Sequence, residues 1–323
     1  MLLTAPAITA IGIDIAKAKF DAAALLEGKY KTKVFPNTPA GFEAFLTWWR
    51  PFAPAHVCME ATGRYGEALA TYLVEQGITV SVVNPAQIHA FGKAELKRTK
   101  TDKTDAKLIA RFCQLQQPPA WQPLPPAVRQ LQALVRRLDN LVEMQQMERN
   151  RQDSTDTTIQ PSIDRVLALL EAEIEQTRAA IHNHLNQDPD LRKRRDLLDT
   201  IPGLGETTIA VLLACLGDIH RFDTAKRVAA FAGLSPAERQ SGKYKGQTRL
   251  SKLGNPLLRQ ALYFPAIVAS QHNPIVRAFC ERLKAKGKAG KVIVCAAMRK
   301  LLTLAYGVLK SGCPFDPNWA LAN

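Results

Sequence analysis

The chain has 323 residues, 46% of them hydrophobic, and a formal net charge of +14. That length accommodates two domains with sizeable cores, and that composition is ordinary for a globular protein. The N-terminus lacks a basic stretch, and no uncharged run reaches the roughly 18–20 residues of a membrane span, so we expect neither a signal peptide nor a membrane protein. Six scattered cysteines, with no Cys-x-x-Cys pair, favour reduced thiols and a cytoplasmic location over a disulfide framework or a zinc site.

The positive charge is concentrated in the C-terminal part of the chain. Residues 188–323 hold 22 Lys and Arg against 10 Asp and Glu, which is +12 of the total of +14. Such an imbalance is typical of a protein that binds a polyphosphate chain. The alternatives are a solvated basic surface or an anionic membrane, but no amphipathic basic helix stands out. The charge therefore favours nucleic acid as the partner.

Strands and helices alternate in the first part of the chain, which predicts an α/β layer. The predicted strands are 11–16, 20–26, 30–35, 56–61 and 79–83, and the predicted helices are 39–50, 65–75 and 102–114. Thr38-Pro39 and Thr101 supply N-cap signals for two of these helices.

Four acids lie within or at the ends of these predicted elements. Asp14 lies in the first strand and Glu60 ends the fourth, while Asp102 and Asp105 are neighbours on one helix face. Acids in the first turn of a helix can also simply offset its dipole. The set of four, however, is typical of a ribonuclease-H-like fold, in which such carboxylates converge and hold two Mg²⁺ ions.

A proline-rich segment, 117–126, separates the α/β part from two long amphipathic helices. Their apolar residues recur every three or four positions over 128–142 and 163–181, which predicts an antiparallel hairpin or coiled coil. We therefore predict a catalytic domain at 8–120, an oligomerisation hairpin at 121–187 and a mainly helical basic domain at 188–323.

The basic domain contains three features suited to a phosphate backbone. A Gly-x-Gly turn at 203–205 is similar to a helix-hairpin-helix, whose backbone amides hold phosphate without base readout. A basic, glycine-bounded loop spans 239–249, and a lysine-rich tether spans 284–291. The residues predicted to contact nucleic acid are Arg192, Lys193, Arg194, Arg195, Gly203, Gly205, Lys243, Lys245, Arg249, Lys284, Lys286, Lys288 and Lys291.

Several motifs resemble the DEDD transposases of insertion-sequence family one-ten, the bridge-RNA-guided recombinases related to the Piv invertases. The matching motifs are Ile-Gly-Ile-Asp14, Glu60-Ala-Thr-Gly63, Asn84-Pro85, Lys100–Ala106, Ile-Pro-Gly203-Leu-Gly205, Phe-Ala-Gly233-Leu, Ser241-Gly242 and Ala305–Gly312. The resemblance covers essentially the whole chain. It implies a RuvC-like domain, a coiled coil and a C-terminal transposase domain. It also implies that Ser241 acts with the DEDD acids of another subunit. Without the resemblance, Ser241 would be read as an ordinary turn residue in a basic loop.

This combination predicts an RNA-guided recombinase that excises and inserts its own mobile element with Mg²⁺ and a serine–DNA intermediate. Its expected partners are donor and target DNA, a guide RNA and further copies of the chain, as a dimer or tetramer. One alternative is a RuvC-like nuclease or Holliday-junction resolvase that uses water as its nucleophile. Another is a helix-hairpin-helix binding protein with a degenerate nuclease domain, which four intact acids argue against.

Other polar and aromatic residues are weaker candidates. His182 and His184 lie at a polar helix end, where solvated side chains are more frequent than metal ligands. Trp48, Trp49, Tyr65, Tyr72 and Tyr244 are suited to stacking on bases. We expect core packing for all of these aromatic residues except Tyr244.

Overall fold

The computed structural model describes residues 8–61, 63–95, 102–152, 156–237, 240–241, 244–245 and 249–318. Within these ranges, the side chains of Arg64, Asp102, Lys103, Gln240, Ser241, Tyr244 and Lys245 lie outside the description. The chain divides into two compact units, residues 1–123 and 124–323, which we call unit 1 and unit 2.

Unit 1 is built on a five-stranded mixed sheet. Its strands are β1 (Thr9–Ile15), β2 (Lys19–Leu26), β3 (Lys29–Pro36), β4 (Ala55–Glu60) and β5 (Thr79–Val83). Their spatial order is β3-β2-β1-β4-β5, in which β2 runs antiparallel to β1 and β3, while β1, β4 and β5 are parallel. The first three strands are joined by short turns, and the parallel strands need the longer helical connections that follow them.

Four helices cover the two faces of this sheet: α1 (Pro39–Trp49), α2 (Arg64–Glu75), α3 (Pro85–Ala94) and α4 (Asp102–Gln116). One face packs its isoleucines and phenylalanines against α1 and α2, and the other packs Ala10, Cys58 and Val83 against α3 and α4. The strand residues alternate between these two cores, as the two-residue period of a strand requires.

The predicted elements of unit 1 are confirmed, with one omission. Thr38 caps α1 as expected, because its side chain accepts from the Gly41 nitrogen at 3.3 Å. The omission is α3, which begins at Asn84-Pro85 directly after the predicted strand 79–83, where Asn84 accepts from the Ala86 nitrogen at 2.9 Å. The expected cap at Thr101 lies outside the described residues.

Unit 2 is mostly helical. Its helices are α5 (Pro126–Gln152), α6 (Gln160–Gln187), α7 (Pro189–Asp199), α8 (Glu206–Leu216), α9 (Ala225–Phe231), α10 (Pro256–His272), α11 (Pro274–Ala285) and α12 (Gly290–Ser311). Helices α5 and α6 form the predicted hairpin. Their buried residues share one continuous core with α8, α10 and α12, so the hairpin and the basic domain pack as one unit.

The predicted lysine-rich tether is shorter than the sequence suggested. Helix α11 continues to Ala285 and α12 already begins at Gly290, so only residues 286–289 connect them. Among the described residues, α12 is the one helix long and apolar enough to cross a membrane. That composition has a local explanation, because Leu301, Leu302 and Ala305 of α12 are fully buried in the core of unit 2.

Two short antiparallel ladders lie at the ends of the predicted basic loop and within it. Pro236–Ala237 (β6) pairs with Arg249–Leu250 (β9), and Gln240–Ser241 (β7) pairs with Tyr244–Lys245 (β8). In register, Ser241 is opposite Tyr244. The backbone therefore places Ser241 beside the two-residue connection at the tip of a hairpin.

Candidate active site and nucleic-acid interface

Asp14 and Glu60 lie at the same edge of the unit 1 sheet. Strands β1 and β4 are parallel neighbours, and Ile13 is in register with Met59, so the next residues along each strand are level with one another. Gly12 and Cys58 are also in register, and Cys58 belongs to the core beneath α4. Since side chains alternate along a strand, Asp14 and Glu60 share the sheet face that α4 covers.

Gly12 brings α4 down onto this face. A Cβ atom at Gly12 would overlap backbone atoms of Ala106 and Ala110 and lie 2.8 Å from the carbonyl carbon of Ile109. At the other end of the helix, the Cys113 thiol donates to the His56 carbonyl at 3.5 Å, and His56 is near the start of β4. Helix α4 therefore runs antiparallel to β1 and β4, which brings its N-terminal turn, with Asp102 and Asp105, to the edge where Asp14 and Glu60 lie.

Hard oxygen ligands of this kind suit Mg²⁺. Asp14, Glu60 and Asp105 are half-buried, and the side chain of Asp102 lies outside the described residues. Among the described side chains, no group of three or more His, Cys, Asp or Glu is close enough to hold a metal ion. What the fold brings together is the backbone positions of all four acids, at one edge and on one face of the sheet.

Sequence reasoning missed two polar residues beside these acids. Asp21 is directly opposite Asp14 on β2, is 8% exposed and pairs with the Lys19 ammonium at 3.2 Å. The Asn37 amide donates to the Ala16 carbonyl at 3.1 Å and the Tyr65 carbonyl at 3.0 Å, joining the end of β1 to the start of α2. The register of the β1–β2 hairpin, which its short turn sets, could have identified Asp21.

The Ser241 hairpin is fixed at its base. A Cβ atom at Gly254 would overlap the backbone at Phe231 and Gly233, and the Asn255 nitrogen donates to the Phe231 carbonyl at 2.8 Å. Arg259 donates to the Ala232 carbonyl at 3.0 Å. The Cys215 thiol bonds to Asn255, and its burial raises its pKa to about 11, so it stays protonated. These contacts hold the two ends of residues 236–250 together.

The glycine turn lies between two helices, α7 and α8, as predicted. The fully buried Asn273 holds the backbone of this turn, because its side-chain amide donates to the Pro202 carbonyl at 3.3 Å. The side-chain oxygen of Asn273 caps α11. Gly205 is the N-cap of α8 and has open space around it. The first turn of α8 also carries Glu206, which pairs with His182, so a phosphate at this turn would have to approach beside an acid.

The basic residues predicted to bind nucleic acid have different surroundings. Arg194 donates to the Gly217 carbonyl and Arg195 to Asn186, so both serve the internal structure of unit 2. Those with exposed side chains are Arg192, Lys193, Arg249, Lys284, Lys286, Lys288 and Lys291. Lys243 and the side chain of Lys245 lie outside the described residues.

The weaker candidates have ordinary roles where the structure describes them. His182 pairs with Glu206 and His184 bonds to the Ala127 carbonyl at 2.7 Å. Trp48, Trp49 and Tyr72 pack against the core of unit 1, as expected. The expectation was wrong for Tyr65, which is 41% exposed.

An α/β unit that gathers acids at one edge of its sheet, followed by a basic helical unit, defines a class of nucleic-acid-processing enzymes. Two sequence families match the chain in these same regions. The DEDD "Transposase" family of the IS110 type matches residues 11–160, and the "Transposase IS116/IS110/IS902 family" matches residues 195–281.

Relatives over nearly the full length agree with this assignment. The chain is 37% identical to the pilin gene-inverting proteins of Moraxella bovis and Moraxella lacunata, over 95% of this chain and 98% of each relative. It is 25% identical to the transposase for insertion sequence element IS1111A of Coxiella burnetii, over 82% of this chain and 79% of that protein. The chain belongs to the IS110 family of transposases and is a DNA transposase or recombinase.

Proposed function

We propose that this enzyme excises and inserts a mobile DNA element by metal-assisted strand cleavage and exchange at a site shared between its acids and Ser241. The observation that carries the proposal is the placement of Asp14, Glu60 and Asp105, with Asp102, at one edge of the unit 1 sheet. This placement, and the strand order β3-β2-β1-β4-β5, support a ribonuclease-H-like fold for unit 1.

Mg²⁺ is the cofactor we propose, held by Asp14, Glu60, Asp102 and Asp105. The donor set fits, because carboxylate oxygens are hard ligands and a bound cation would relieve the repulsion between acids gathered at one edge of the sheet. When bound, such ions orient a scissile phosphate and stabilise charge on the attacking and leaving oxygens. The contribution of the chain is to fix the acids on two strands and a helix that pack tightly at Gly12.

Ser241 is the nucleophile in this proposal. A bond forms between Ser241 Oγ and the phosphorus as the bond from phosphorus to the leaving deoxyribose oxygen breaks, and the serine proton ends on that leaving oxygen. The phosphodiester energy is kept in the phosphoserine bond, so the reverse attack by another DNA end joins strands without ATP. A serine hydroxyl needs activation for this step, and the acid site would provide it from another protomer.

A guide RNA and a homo-oligomer complete the proposal. If base pairing with an RNA selects the DNA, the protein needs backbone and shape contacts more than base readout. The exposed basic residues of unit 2 and its glycine turn suit that requirement, because they can contact phosphates of any sequence. The α5–α6 hairpin would bring protomers together so that the acids of one meet the serine of another.

The test separates the serine mechanism from a water-using nuclease. Asp14→Asn, Glu60→Gln, Asp102→Asn and Asp105→Asn should each abolish strand cleavage while the protein still folds. Ser241→Ala should keep DNA binding and complex assembly but lose recombination and the denaturation-resistant protein–DNA adduct. Mixing Ser241→Ala with Asp102→Asn should restore part of the activity, because a hybrid assembly can contain one complete site.

Each possible result has a distinct meaning. Near-parental cleavage by two of the acid variants would remove the quartet from the mechanism. Cleavage by Ser241→Ala at the parental rate, with no adduct, would leave the nuclease or junction resolvase as the better description. Ser235→Ala is the matched control, since Ser235 lies before the hairpin and its variant should react normally.

A further inference from the structure

A row of lysines follows the outer edge of the unit 1 sheet. Strand β3 is an edge strand, and its exposed Lys29, Lys31 and Lys33 alternate with the half-buried Tyr30 and Thr32. Because alternate residues of a strand point to the same side, these three ammonium groups share one face at intervals of about 6.7 Å. Lys31 lies over the Phe52 ring at 5.7 Å and Lys33 over the Phe35 ring at 5.3 Å, so aromatic contacts hold their stems along the sheet.

Two further cations approach β3 from the other face. The Lys107 ammonium of α4 lies 5.5 Å from the centre of the Tyr30 ring, and Tyr30 lies between Lys29 and Lys31 in the strand. Arg111, one turn further along α4, is close enough for its charge to lower the pKa of Tyr30, although burial raises that pKa more. Glu95 is the acid whose charge also reaches Tyr30. Helix α4 thus carries Asp102 and Asp105 at its start and directs Lys107 and Arg111 toward β3.

The opposite edge of the sheet, strand β5, is covered by another segment of the chain. There the Trp121 nitrogen donates to the Val80 carbonyl at 2.7 Å, and Ser81 donates to the carbonyls of Pro118 and Pro119, so the chain itself covers β5. In the described part of the chain, no strand pairs with the outer side of β3. Lysines on an open edge can serve simply to prevent pairing with another sheet. That role accounts for charges on the strand, but it does not account for Lys107 and Arg111 on the neighbouring helix.

We propose that Lys29, Lys31 and Lys33 of β3, with Lys107 and Arg111 of α4, form a second nucleic-acid surface, which binds the phosphate backbone along the outer edge of the unit 1 sheet. The three lysines lie on the face that packs against α1 and α2, and Lys107 and Arg111 approach this edge from the face that carries the acids. This surface, the β3 track, rests on the proposed function, since it gives the strand that enters the acid edge a place to lie on unit 1. Its ammonium and guanidinium groups, which lie along both faces of an exposed edge, suit phosphate contacts without base readout. The phosphates belong to DNA or to a guide RNA, and titration with each nucleic acid distinguishes these two sources.

The experiment measures binding rather than cleavage, using the full chain with Asp14→Asn so that no strand is cut. Duplex DNA, single-stranded DNA and RNA of equal length are titrated at several salt concentrations. Affinity falls as salt rises, and each neutralised phosphate makes the slope of log affinity against log salt more negative by about 0.9 for duplex and about 0.7 for single strands. Lys29→Gln/Lys31→Gln/Lys33→Gln should therefore reduce the magnitude of the slope by up to ~2.7 on duplex or ~2.1 on single strands. The ligand whose slope becomes shallower is the source of the phosphates.

A second variant avoids the edge of the sheet. Lys107→Gln/Arg111→Gln should reduce the magnitude of the same slope by up to ~1.8 on duplex or ~1.4 on single strands, and its helix should fold normally. Lys93→Gln, an exposed lysine on α3, is the control and should leave the slope unchanged. Unit 1 folding in each variant is checked by tryptophan fluorescence.

The outcomes distinguish this proposal from the one on which it rests. If the parent protein binds but both variants keep its slope on all three ligands, the β3 track is wrong while the proposed function stands. Aggregation of the strand variant with an unchanged slope in both variants would mean that the lysines only protect the edge. If the parent binds none of the ligands, the proposed function itself fails.

Discussion

The two halves of the proposed site are supported in different ways. In unit 1 the acids are carried by two adjacent strands and by a helix that touches one of them through its backbone at Gly12. In unit 2 Ser241 lies beside the tip of a hairpin of two-residue ladders, and the contacts that fix it are at the base, around Gly254. Metal ligands must be held close to one geometry, whereas a nucleophile that visits another protomer needs reach. The difference fits the proposed mechanism, in which the acids of unit 1 hold the metal and Ser241 of another protomer attacks the phosphate.

Gly12→Val tests the rigid half and should have the largest effect. Two methyl groups cannot fit where a Cβ atom alone would overlap the α4 backbone, so we expect unit 1 to lose at least ~3 kcal/mol of stability. Urea unfolding followed by tryptophan fluorescence is the measurement, because Trp48, Trp49 and Trp121, three of the four tryptophans, lie in unit 1. A parental unfolding midpoint would show that α4 can move away from β1, and the acids would then be less firmly held than the contact implies.

Gly254→Ala tests the base of the hairpin and should have an intermediate effect. Its φ of 148° and its contact with the backbone of residues 231–233 both oppose a side chain, so we expect a loss of ~1–3 kcal/mol and a displaced hairpin. Circular dichroism gives the stability, and recombination should fall much further than stability does. The matched control is Gly307→Ala, an exposed helix position with open space, which should stabilise the protein by ~0.5–1 kcal/mol. Full recombination by Gly254→Ala would mean that the base does not position Ser241.

Two helix caps give the smallest effects and compare the units directly. Asn84 caps α3 in unit 1 and Asn255 caps α10 at the base of the hairpin, each through its side-chain oxygen. Either Asn→Ala change should cost ~1 kcal/mol of unfolding free energy, and either Asn→Asp change should cost less because the acceptor remains. Only Asn255→Ala should also reduce recombination. An equal loss from Asn84→Ala would show that helix stability, rather than the hairpin base, limits the reaction.

The sequence by itself predicted the local elements of unit 1 and nominated the four acids as the candidate metal site. Alternation along strands, helix periodicity and caps such as Thr38-Pro39 depend only on neighbouring residues, so they could be predicted directly. The assignment of Ser241 came from resemblance, because a serine in a basic glycine-bounded loop has no distinctive local pattern. Helix α3 was missed because Asn84-Pro85 serves both as the end of a strand and as the start of a helix.

Only the tertiary structure decided which of these residues meet. Asp14 and Glu60 become level through strand register, and the backbone of Asp105 reaches the same edge because Gly12 leaves room for α4. The β3 track, the Lys19–Asp21 pair beside Asp14 and the internal roles of Arg194 and Arg195 likewise depend on pairing and packing between distant segments. A local sequence pattern indicates what a residue can do. Whether its charged group stays exposed to a ligand or is used inside the fold depends on the burial and the distances between segments, which only the packing of the whole chain sets.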